Sequence, residues 1–285
     1  MHLIWKMKNR LRKAVQLNPY LHAGVNSLGK IISIVNQKGG VGKTTTAVSL
    51  ASAMGIARKK VLLVDIDPQG NATSGFGINK KAVEKSSYSI LTSDLPAGEA
   101  VQATEFKNVD VIPATIDLVA AELELAELEN REYILKNALA ELRENYDYIF
   151  MDCPPSLSLI TVNALTASDT LLVPIQCEYY AIEGLSQLMT TVRQVKRLYN
   201  ADLELEGVLL TMYDRRLNLT AQVKAEVENF FPGKVFKAII PRAVRLSEAP
   251  SYGKPIQYYD KRSKGARAYE SLAKEIIRNN KKQEG

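Results

Sequence analysis

The stretch Lys38-Gly39-Gly40-Val41-Gly42-Lys43-Thr44-Thr45 decides how the rest of the sequence is interpreted. Residues 31–36 before it are apolar and β-branched, whereas residues 46–54 after it are rich in alanine and apolar at helical spacing. This pattern predicts a buried strand, a glycine loop and a helix. Glycines allow backbone amides to close around phosphate oxygens, and a helix N-terminus adds partial positive charge. We therefore expect a nucleotide phosphate site in which Lys43 reaches the β- and γ-phosphates and the Thr44 hydroxyl ligates Mg²⁺.

The loop differs from the common pattern G-x-x-x-x-G-K-[ST] at its first position, which is Gln37, and it contains an additional lysine, Lys38. A glycine-rich turn with a solvated lysine is the alternative interpretation. The additional lysine resembles the deviant Walker A motif of the ParA/MinD class of ATPases. That resemblance implies that residues 38–45 bind ATP with Mg²⁺. It also implies that Lys38 takes part in catalysis by reaching across an ATP-dependent homodimer to the partner's nucleotide.

Two predicted strands end in carboxylates. Residues 61–66 lead into Asp67, and residues 146–152 close on Asp152. Open α/β sheets bind ligands at the carboxyl ends of their parallel strands, so both carboxylates are expected beside the phosphates. Asp152 has the Walker B form, and we predict that it holds Mg²⁺ through water.

The segment from Asp65 to Asn71 resembles the switch segment of the same class of ATPases. We predict that Asp67 orients or activates the water that attacks the γ-phosphate and that Asp65 supports the metal. A turn at Asp67-Pro68 without a catalytic role is the alternative. The segment after Asp152 resembles the second switch of the class, and Cys153 within it is predicted to pack in the core rather than to act as a nucleophile.

The remaining elements alternate along the chain. Further strands are predicted over residues 109–113, 169–175, 205–212 and 235–240, and helices over residues 117–129, 131–144 and 266–279, with another long helix ending near Tyr199. Residues 74–108 are predicted to form loops and one short helix. This alternation favours a single α/β domain. We expect residues 30–285 to form a P-loop NTPase domain with a mostly parallel twisted sheet and helices on both faces.

The net charge of +6 is unevenly distributed along the chain. Residues 1–29 contain five bases and no acid, residues 99–147 contain 12 acids and 4 bases, and residues 212–285 contain 16 bases and 8 acids. The glutamates of the acidic segment are interpreted as a solvated surface. The basic C-terminal third of the chain favours contact with nucleic acid.

Arginines follow two of the predicted strands. Arg216 comes after residues 205–212, and Arg242 and Arg245 come after residues 235–240. Arginines on loops at one sheet edge can contact phosphates without reading bases, which gives salt-sensitive binding that is independent of sequence. In the chromosome-partitioning branch that the chain resembles, matching arginines contact DNA. Scattered surface arginines are the alternative.

The same resemblance places Met212 and Pro241 beside the adenine. These two residues come at the ends of the last two predicted strands, so the resemblance implies that the adenine lies beside those strand ends.

The composition excludes several kinds of site. Both histidines, His2 and His22, precede the first predicted strand, so no catalytic or zinc site based on histidine is expected in the ATPase domain. The two cysteines, Cys153 and Cys177, lack metal-ligand spacing and are compatible with a reducing cytosol. The sequence has no run of about 18 apolar residues, so we expect no transmembrane helix and no membrane partner.

Residues 1–29 are interpreted as a basic extension outside the ATPase domain. Their apolar residues, mixed with bases, are compatible with an amphipathic helix that tethers the protein to a membrane or to DNA. The other interpretation is that the extension is not native or that the start is wrongly assigned, because residues 28–32 resemble the usual start of this class.

The resemblance covers residues 29–280. It implies a cytoplasmic, nucleoid-associated ATPase whose ATP dimer binds double-stranded DNA without sequence preference. Its partner would be a ParB-type centromere-binding protein, its role chromosome or plasmid segregation, and an added role in replication initiation is compatible with it. Two other classes stay open: a membrane-associated positioning ATPase similar to MinD, and a metabolic P-loop ligase that forms amide bonds or rings.

Overall fold

A mostly parallel sheet of seven strands forms the centre of the computed structural model, which describes residues 28–178 and 181–283. The strands are β1 (Lys30–Ile34), β2 (Val61–Asp65), β3 (Gln102–Ala103), β4 (Val109–Ile112), β5 (Tyr148–Asp152), β6 (Thr170–Gln176) and β7 (Glu204–Thr211). Their order is β3-β4-β2-β5-β1-β6-β7, and only the pair of β3 with β4 is antiparallel. The predicted fold class is therefore confirmed.

Helices cover both faces of this sheet, as the sequence predicted. They are α1 (Lys43–Ile56), α2 (Asn71–Gly75), α3 (Ser87–Thr92), α4 (Leu118–Ala126), α5 (Ile134–Leu139), α6 (Leu159–Ala167), α7 (Ala181–Leu198), α8 (Asn218–Phe230), α9 (Val244–Glu248), α10 (Ile256–Tyr259) and α11 (Lys264–Gln283). Among the described residues, no helix is long and apolar enough to cross a membrane.

The core consists of two apolar layers, one on each side of the sheet. One layer joins α1 and α11 to the sheet through residues such as Leu50, Tyr269 and Phe150. The other joins α4, α5, α6 and α7 to the opposite side, with Leu62 and Ile149 facing it. All five residues of β2 and all five of β5 are buried. Strands that are covered on both faces are apolar throughout, which is why these strands have no alternation of polar and apolar residues.

The topology places the glycine loop at the centre of the sheet. β1 lies between β5 and β6, so the chain builds the sheet outwards in both directions from β1. The loop that leaves the carboxyl end of β1 is therefore at the topological switch point, where open α/β sheets form their ligand crevice.

Residues 235–240 do not form the strand that the sequence predicted. They run beside β7 with isolated parallel bridges at Val235 and Pro241. Between these bridges, the backbone N–H groups of residues 237–238 donate to the carboxylate of Glu275 on α11, over 2.9 and 3.0 Å. Because a side chain takes these donors, the ladder with β7 is interrupted. The sequence analysis also did not predict the short strand β3 at the opposite edge of the sheet.

The predicted helix over residues 131–144 is also wrong, because it is broken into α5 and two flanking 3-10 turns. The side chain of Asn163 bonds the backbone at the start of this segment, accepting from the Leu135 N–H and donating to the Arg131 carbonyl. At its end, the carbonyl of Arg143 accepts the N–H of Gly29, which leads into β1. Residues 74–108 form α3, two 3-10 turns and β3, which is more structure than predicted.

The predictions for residues 1–27 lie outside the described residues. The domain division, with an extension over residues 1–29 and an ATPase domain over residues 30–285, therefore stays a prediction.

Candidate functional site

The glycine loop forms an open cradle at the start of α1. Gly40 and Gly42 have φ of 73° and 88°, in the left-handed region that favours glycine. A Cβ built on Gly39 or Gly40 would meet no heavy atom within 4 Å, so the backbone here is bare on its outer side. Gly42 is the N-cap of α1 and no side chain caps the helix. The backbone N–H groups of the first turn are thus available to an anion, as a phosphate site requires.

Lys43 is a buried cation directed back into this loop. Its Nζ donates to the Lys38 carbonyl over 3.2 Å, and only 7% of the residue is exposed. Burial lowers the pKa of Lys43, while the nearby carboxylates of Asp152 and Asp67 oppose that shift. A partly desolvated ammonium group interacts strongly with phosphate oxygens. The Lys43 ammonium group thus lies at the glycine loop, and its contact with the β- and γ-phosphates stays a prediction.

Asp65 and Asp152 are neighbours in register at the carboxyl ends of β2 and β5. Asp65 accepts hydrogen bonds from the N–H and Oγ1 of Thr73 over 2.8 and 2.7 Å, and from the Asp67 N–H over 3.2 Å. Burial raises the pKa of Asp65 to about 6, although the Thr73 bonds counter it. The oxygens of Asp65 therefore hold the start of α2, and direct support of the metal stays a prediction.

Asp152 is a fully buried carboxylate without a hydrogen-bond partner of normal geometry among the described residues. Burial and the nearby Asp65 charge raise its pKa well above the ordinary range, while Thr44 and Lys43 partly counter the shift. Unsatisfied buried carboxylates are rare because they are costly. A hydrated Mg²⁺ held between Asp152 and the Thr44 hydroxyl would satisfy this carboxylate, so these residues fit the predicted metal.

Asp67 begins the segment that connects β2 to α2. The residue is 7% exposed, and its Oδ1 accepts the Gln69 N–H over 2.9 Å. Its charge acts on both Lys43 and Asp152. The structure therefore brings Asp67, Asp152 and Lys43 together at one edge of the sheet, as the sequence predicted.

Lys38 lies at the outer side of the loop. Its Nζ forms an ion pair of 2.7 Å with Glu178, just after β6, and both side chains are more than two-fifths exposed. Exposed ion pairs of this kind contribute about 0–1 kcal/mol. The Lys38 ammonium group can therefore leave Glu178 for a phosphate at little cost.

A cavity of about 220 Å³ lies next to the cradle, on the side of β7. Met212 and Pro241, the two predicted adenine neighbours, both line this cavity together with Gly42 and Thr45. Thr211 Oγ1 fixes the end of β7 to the loop by donating to the Val41 carbonyl over 2.8 Å. The arrangement supports the predicted position of the base.

A groove of about 750 Å³ beyond this cavity has six bases and one acid among its lining residues, and we call it the basic groove. Arg216 and Arg242 both line it, whereas Arg245 does not and instead pairs with Glu248 over 2.8 Å. Sequence analysis missed four further cations that the fold brings to this groove, namely Arg215, Lys237, Lys264 and Arg267. Two signals for them were present: the excess of 16 bases over 8 acids in residues 212–285, and the helical spacing of residues 264 and 267.

The groove also contains one acid, Asp214. The guanidinium of Arg216 binds it through two hydrogen bonds of 2.9 and 2.6 Å, which lower the pKa of Asp214 to about 2. Arg216 is 86% exposed, so the pair lies at the solvent side of the groove. Cys153, by contrast, is fully buried beside Asp152, and burial raises the pKa of its thiol, as expected of a packing residue.

The sequence is similar to a known protein family and to several characterised proteins. The family profile described as an AAA domain matches residues 29–205. The chain is 60% identical over 252 residues to the sporulation initiation inhibitor protein Soj of Bacillus subtilis, an alignment that covers 88% of this chain and 100% of that protein. It is 52% identical over 255 residues to the chromosome partitioning protein ParA of Myxococcus xanthus, with 90% of each chain covered.

A solved structure of an enzyme that is not named as a partitioning protein also shares the fold. The cobyrinic acid a,c-diamide synthase of Mycobacterium smegmatis with bound ADP and magnesium matches with a TM-score of 0.79 at 36% identity, over 89% of this chain and 96% of that chain. The identities to Soj and ParA are higher and extend over nearly the same share of the chain. The chain therefore belongs to the ParA/Soj family of chromosome-partitioning P-loop ATPases.

Proposed function

We propose that the protein is a switch ATPase that dimerises with ATP, binds double-stranded DNA without sequence preference in that state, and segregates a chromosome or plasmid with a ParB-type partner. One observation carries the proposal. Pro241 and Arg242 line both the cavity beside the glycine loop and the basic groove, so one short segment borders the cavity proposed for the base on one side and the groove on the other. A change at the nucleotide therefore has a direct path to the cations.

Binding of ATP uses the cradle and the residues around it. The N–H groups of the glycine loop and the Lys43 ammonium group receive the phosphates, and the cavity lined by Met212 and Pro241 receives the base. Thr44 and Asp152 would hold Mg²⁺, which neutralises charge on the phosphates when bound. Asp67 then positions and deprotonates the attacking water.

The dimer would form with the two glycine loops facing each other. Gly39 and Gly40 have no side chains and nothing opposes their outer side within 4 Å, so a second backbone can approach closely. In this dimer Lys38 exchanges the Glu178 carboxylate for the partner's phosphates. ATP has one phosphate more than ADP and therefore more negative charge, so the exchange favours the dimer more strongly while the γ-phosphate is present.

Binding to DNA would use the cations of the basic groove. These side chains contact phosphates, so affinity is independent of sequence and falls steeply with salt. A dimer presents the groove twice, which raises the affinity without any new kind of contact. Hydrolysis separates the subunits and releases the DNA, and a ParB-type partner accelerates that step. The proposed function implies that the protein acts in the cytoplasm, in association with the nucleoid.

The experiment that tests this proposal measures retention of the protein on a duplex of arbitrary sequence with ATP, with ADP and without nucleotide, at low and high salt. The expected result is retention with ATP alone, weakened by salt. Arg216→Ala should lose retention while still forming the ATP dimer on a sizing column. Arg193→Ala, which removes an exposed arginine of α7 outside the groove, is the matched control and should change nothing. No retention of the wild-type protein in any condition would contradict the proposal.

A metabolic ligase of the same fold is the second candidate, because the matching structure from Mycobacterium smegmatis is named a diamide synthase. ATP turnover that rises with a small carboxylic acid substrate, and not with DNA, would favour it. The membrane-associated alternative predicts binding to liposomes that is lost when residues 1–29 are deleted.

A further inference from the structure

The short helix α2 rests on the 3-10 turn Ala249–Tyr252 through two glycines. Gly77, just after α2, has φ of 75°, and Gly253, which ends the turn, has φ of 61°. A Cβ built on Gly253 would lie 2.8 Å from the Cα of Gly77, and one built on Gly77 would lie 3.1 Å from the Gly253 carbonyl oxygen. The two backbones therefore touch directly. No side chain lies between them that could change rotamer to absorb a displacement.

Gly77 is tied to the nucleotide site by a continuous set of hydrogen bonds. The Gly70 N–H donates to the Asp67 carbonyl over 2.8 Å, the Ser74 N–H to the Gly70 carbonyl over 3.1 Å, and the Gly77 N–H to the Ser74 carbonyl over 2.9 Å. Thr73 binds the Asp65 carboxylate through both its N–H and its hydroxyl. The segment from Asp67 to Gly77 is thus one short, internally bonded unit that begins at the phosphates.

Gly253 is tied to the basic groove in a similar way. The turn Ala249–Tyr252 follows α9 directly, and Arg242 of the groove lies just before α9. Leu246 of α9 packs against Gly265 of α11 so closely that a Cβ there would lie 2.7 Å from Leu246 Cγ. Lys264 and Arg267, on either side of Gly265, line the groove. A displacement of the turn therefore reaches cations on two segments of the groove.

We propose that the contact between Gly77 and Gly253 transmits the nucleotide state from the Asp67 segment to the cations of the basic groove, which makes both glycines positioning residues for DNA binding. The inference rests on the proposed function, because it specifies how ATP and DNA binding are linked. The negative charge of a γ-phosphate repels the Asp67 carboxylate and displaces α2 as a unit, and the turn at Gly253 follows because packed backbone cannot be compressed. Small shifts at one site are passed on in this way through rigid packed elements.

Gly253→Ala is the decisive variant, because it adds a methyl group that forces the two segments apart. Gly233→Ala is its matched control. Gly233 has φ of 71°, so alanine there carries the same backbone strain, but a Cβ would meet no heavy atom within 4 Å. The quantity to measure is the affinity for a duplex with ATP divided by that with ADP. We expect this ratio to fall about tenfold in Gly253→Ala, within the usual range of coupling between sites, and to stay unchanged in Gly233→Ala. Both variants should bind ATP as the wild type does.

The outcomes separate this inference from the proposed function. A wild-type protein whose DNA affinity does not depend on ATP removes the proposed function itself. A gated wild type together with a fully gated Gly253→Ala overturns only the role of the contact. A Gly253→Ala variant whose affinity for ATP falls by the same factor as its DNA affinity ratio also overturns this role, because the contact would then merely support the nucleotide site. If Gly253→Ala does not fold, Gly77→Ala decides by the same ratio, since its Cβ at 3.1 Å is less crowded. Linkage adds a check: DNA should raise the preference of the protein for ATP over ADP by the same factor in the wild type, and by less in the variant.

Discussion

Asp152→Asn should stabilise the protein without nucleotide while removing its response to Mg²⁺ and ATP. Asparagine has nearly the shape of aspartate but no charge, so the substitution changes the electrostatics of the site and little else. The two effects have opposite signs because the same carboxylate is unsatisfied in the free protein and needed in the loaded one. This opposition distinguishes a functional carboxylate from one that holds the fold together.

The size of the stabilisation follows from the surroundings of Asp152. The side chain is fully buried, neither oxygen has a hydrogen-bond partner of normal geometry in the described part of the chain, and the nearest carboxylate, Asp65, repels it. An amide removes that repulsion and can donate to Asp65. Replacing poorly compensated buried charge by a neutral group of similar volume stabilises proteins by about 1–4 kcal/mol, and we expect the lower half of that range because the amide is itself incompletely bonded.

The pH dependence of stability independently predicts that Asp152→Asn is stabilising. Burial raises the pKa of Asp152 and that of Asp65 above the ordinary 3.8, so between 3.8 and their raised values the folded state binds more protons than the unfolded state. Their contribution to stability is therefore fully present at low pH and is lost as pH rises through the raised values. Asp152→Asn removes one of these two groups, so its gain over the wild type should be larger at about pH 8 than at about pH 5.

Urea denaturation in EDTA at both pH values measures the stability difference, and thermal shift with Mg²⁺ and ATP measures binding. Lower stability of Asp152→Asn at the higher pH would refute the reasoning, because it would mean that the wild-type carboxylate is satisfied. An undiminished thermal shift with Mg²⁺ and ATP would remove Asp152 from the metal site.

The other predictions concern α2 and the segment beside β7. Thr73→Val should cost about 2–4 kcal/mol in urea denaturation, since a buried N–H and a carboxylate each lose a partner, while Thr190→Val, at an exposed hydroxyl, should cost under about 1 kcal/mol. If Thr73→Val lowers the free energy of unfolding by less than about 1 kcal/mol, as the control does, the anchoring role of Thr73 is contradicted. Glu275→Ala should cost about 2–3 kcal/mol by freeing two backbone N–H groups, and unchanged stability would refute it. Asp67→Ala should bind ATP, hydrolyse it poorly and accumulate as a dimer; a monomer on a sizing column would contradict this.

The central part of the fold could be predicted because its signals are local. Strands such as β2 and β5 are buried on both faces, so they are apolar up to the aspartate that ends each of them, and this run is visible in the sequence. The phosphate loop could be predicted for a similar reason, because its glycines, Lys43 and Thr44 are adjacent in the chain. The structure then brings Asp67 and Asp152 to it as the parallel topology requires.

The errors occurred where a distant side chain decides the local structure. Residues 235–240 are apolar enough for a strand, but Glu275 takes two of their donors. Asn163 similarly fixes the start of residues 131–144. Neither contact has a signal within the segment that it changes.

Only some of the cations of the basic groove were predicted, because the fold brings them together from distant parts of the chain. Arg216 and Arg242 follow strand-like segments and could be singled out, whereas Lys264 and Arg267 belong to a helix whose apolar stripe was noted while its two bases at helical spacing were not. Arg245 lies outside the lining of the groove and pairs with Glu248 three residues later, so its contact with DNA stays a prediction.

The interrupted segment beside β7 also bears on solubility. An unbroken edge strand presents a row of free N–H and C=O groups that can recruit a strand from another molecule. Here Glu275 takes two of the donors of residues 235–240, so a continuous ladder cannot extend past β7. At the opposite edge β3 is only two residues long and runs antiparallel to β4. The sheet thus ends in poor templates on both sides, which opposes fibrillar self-association of the chain.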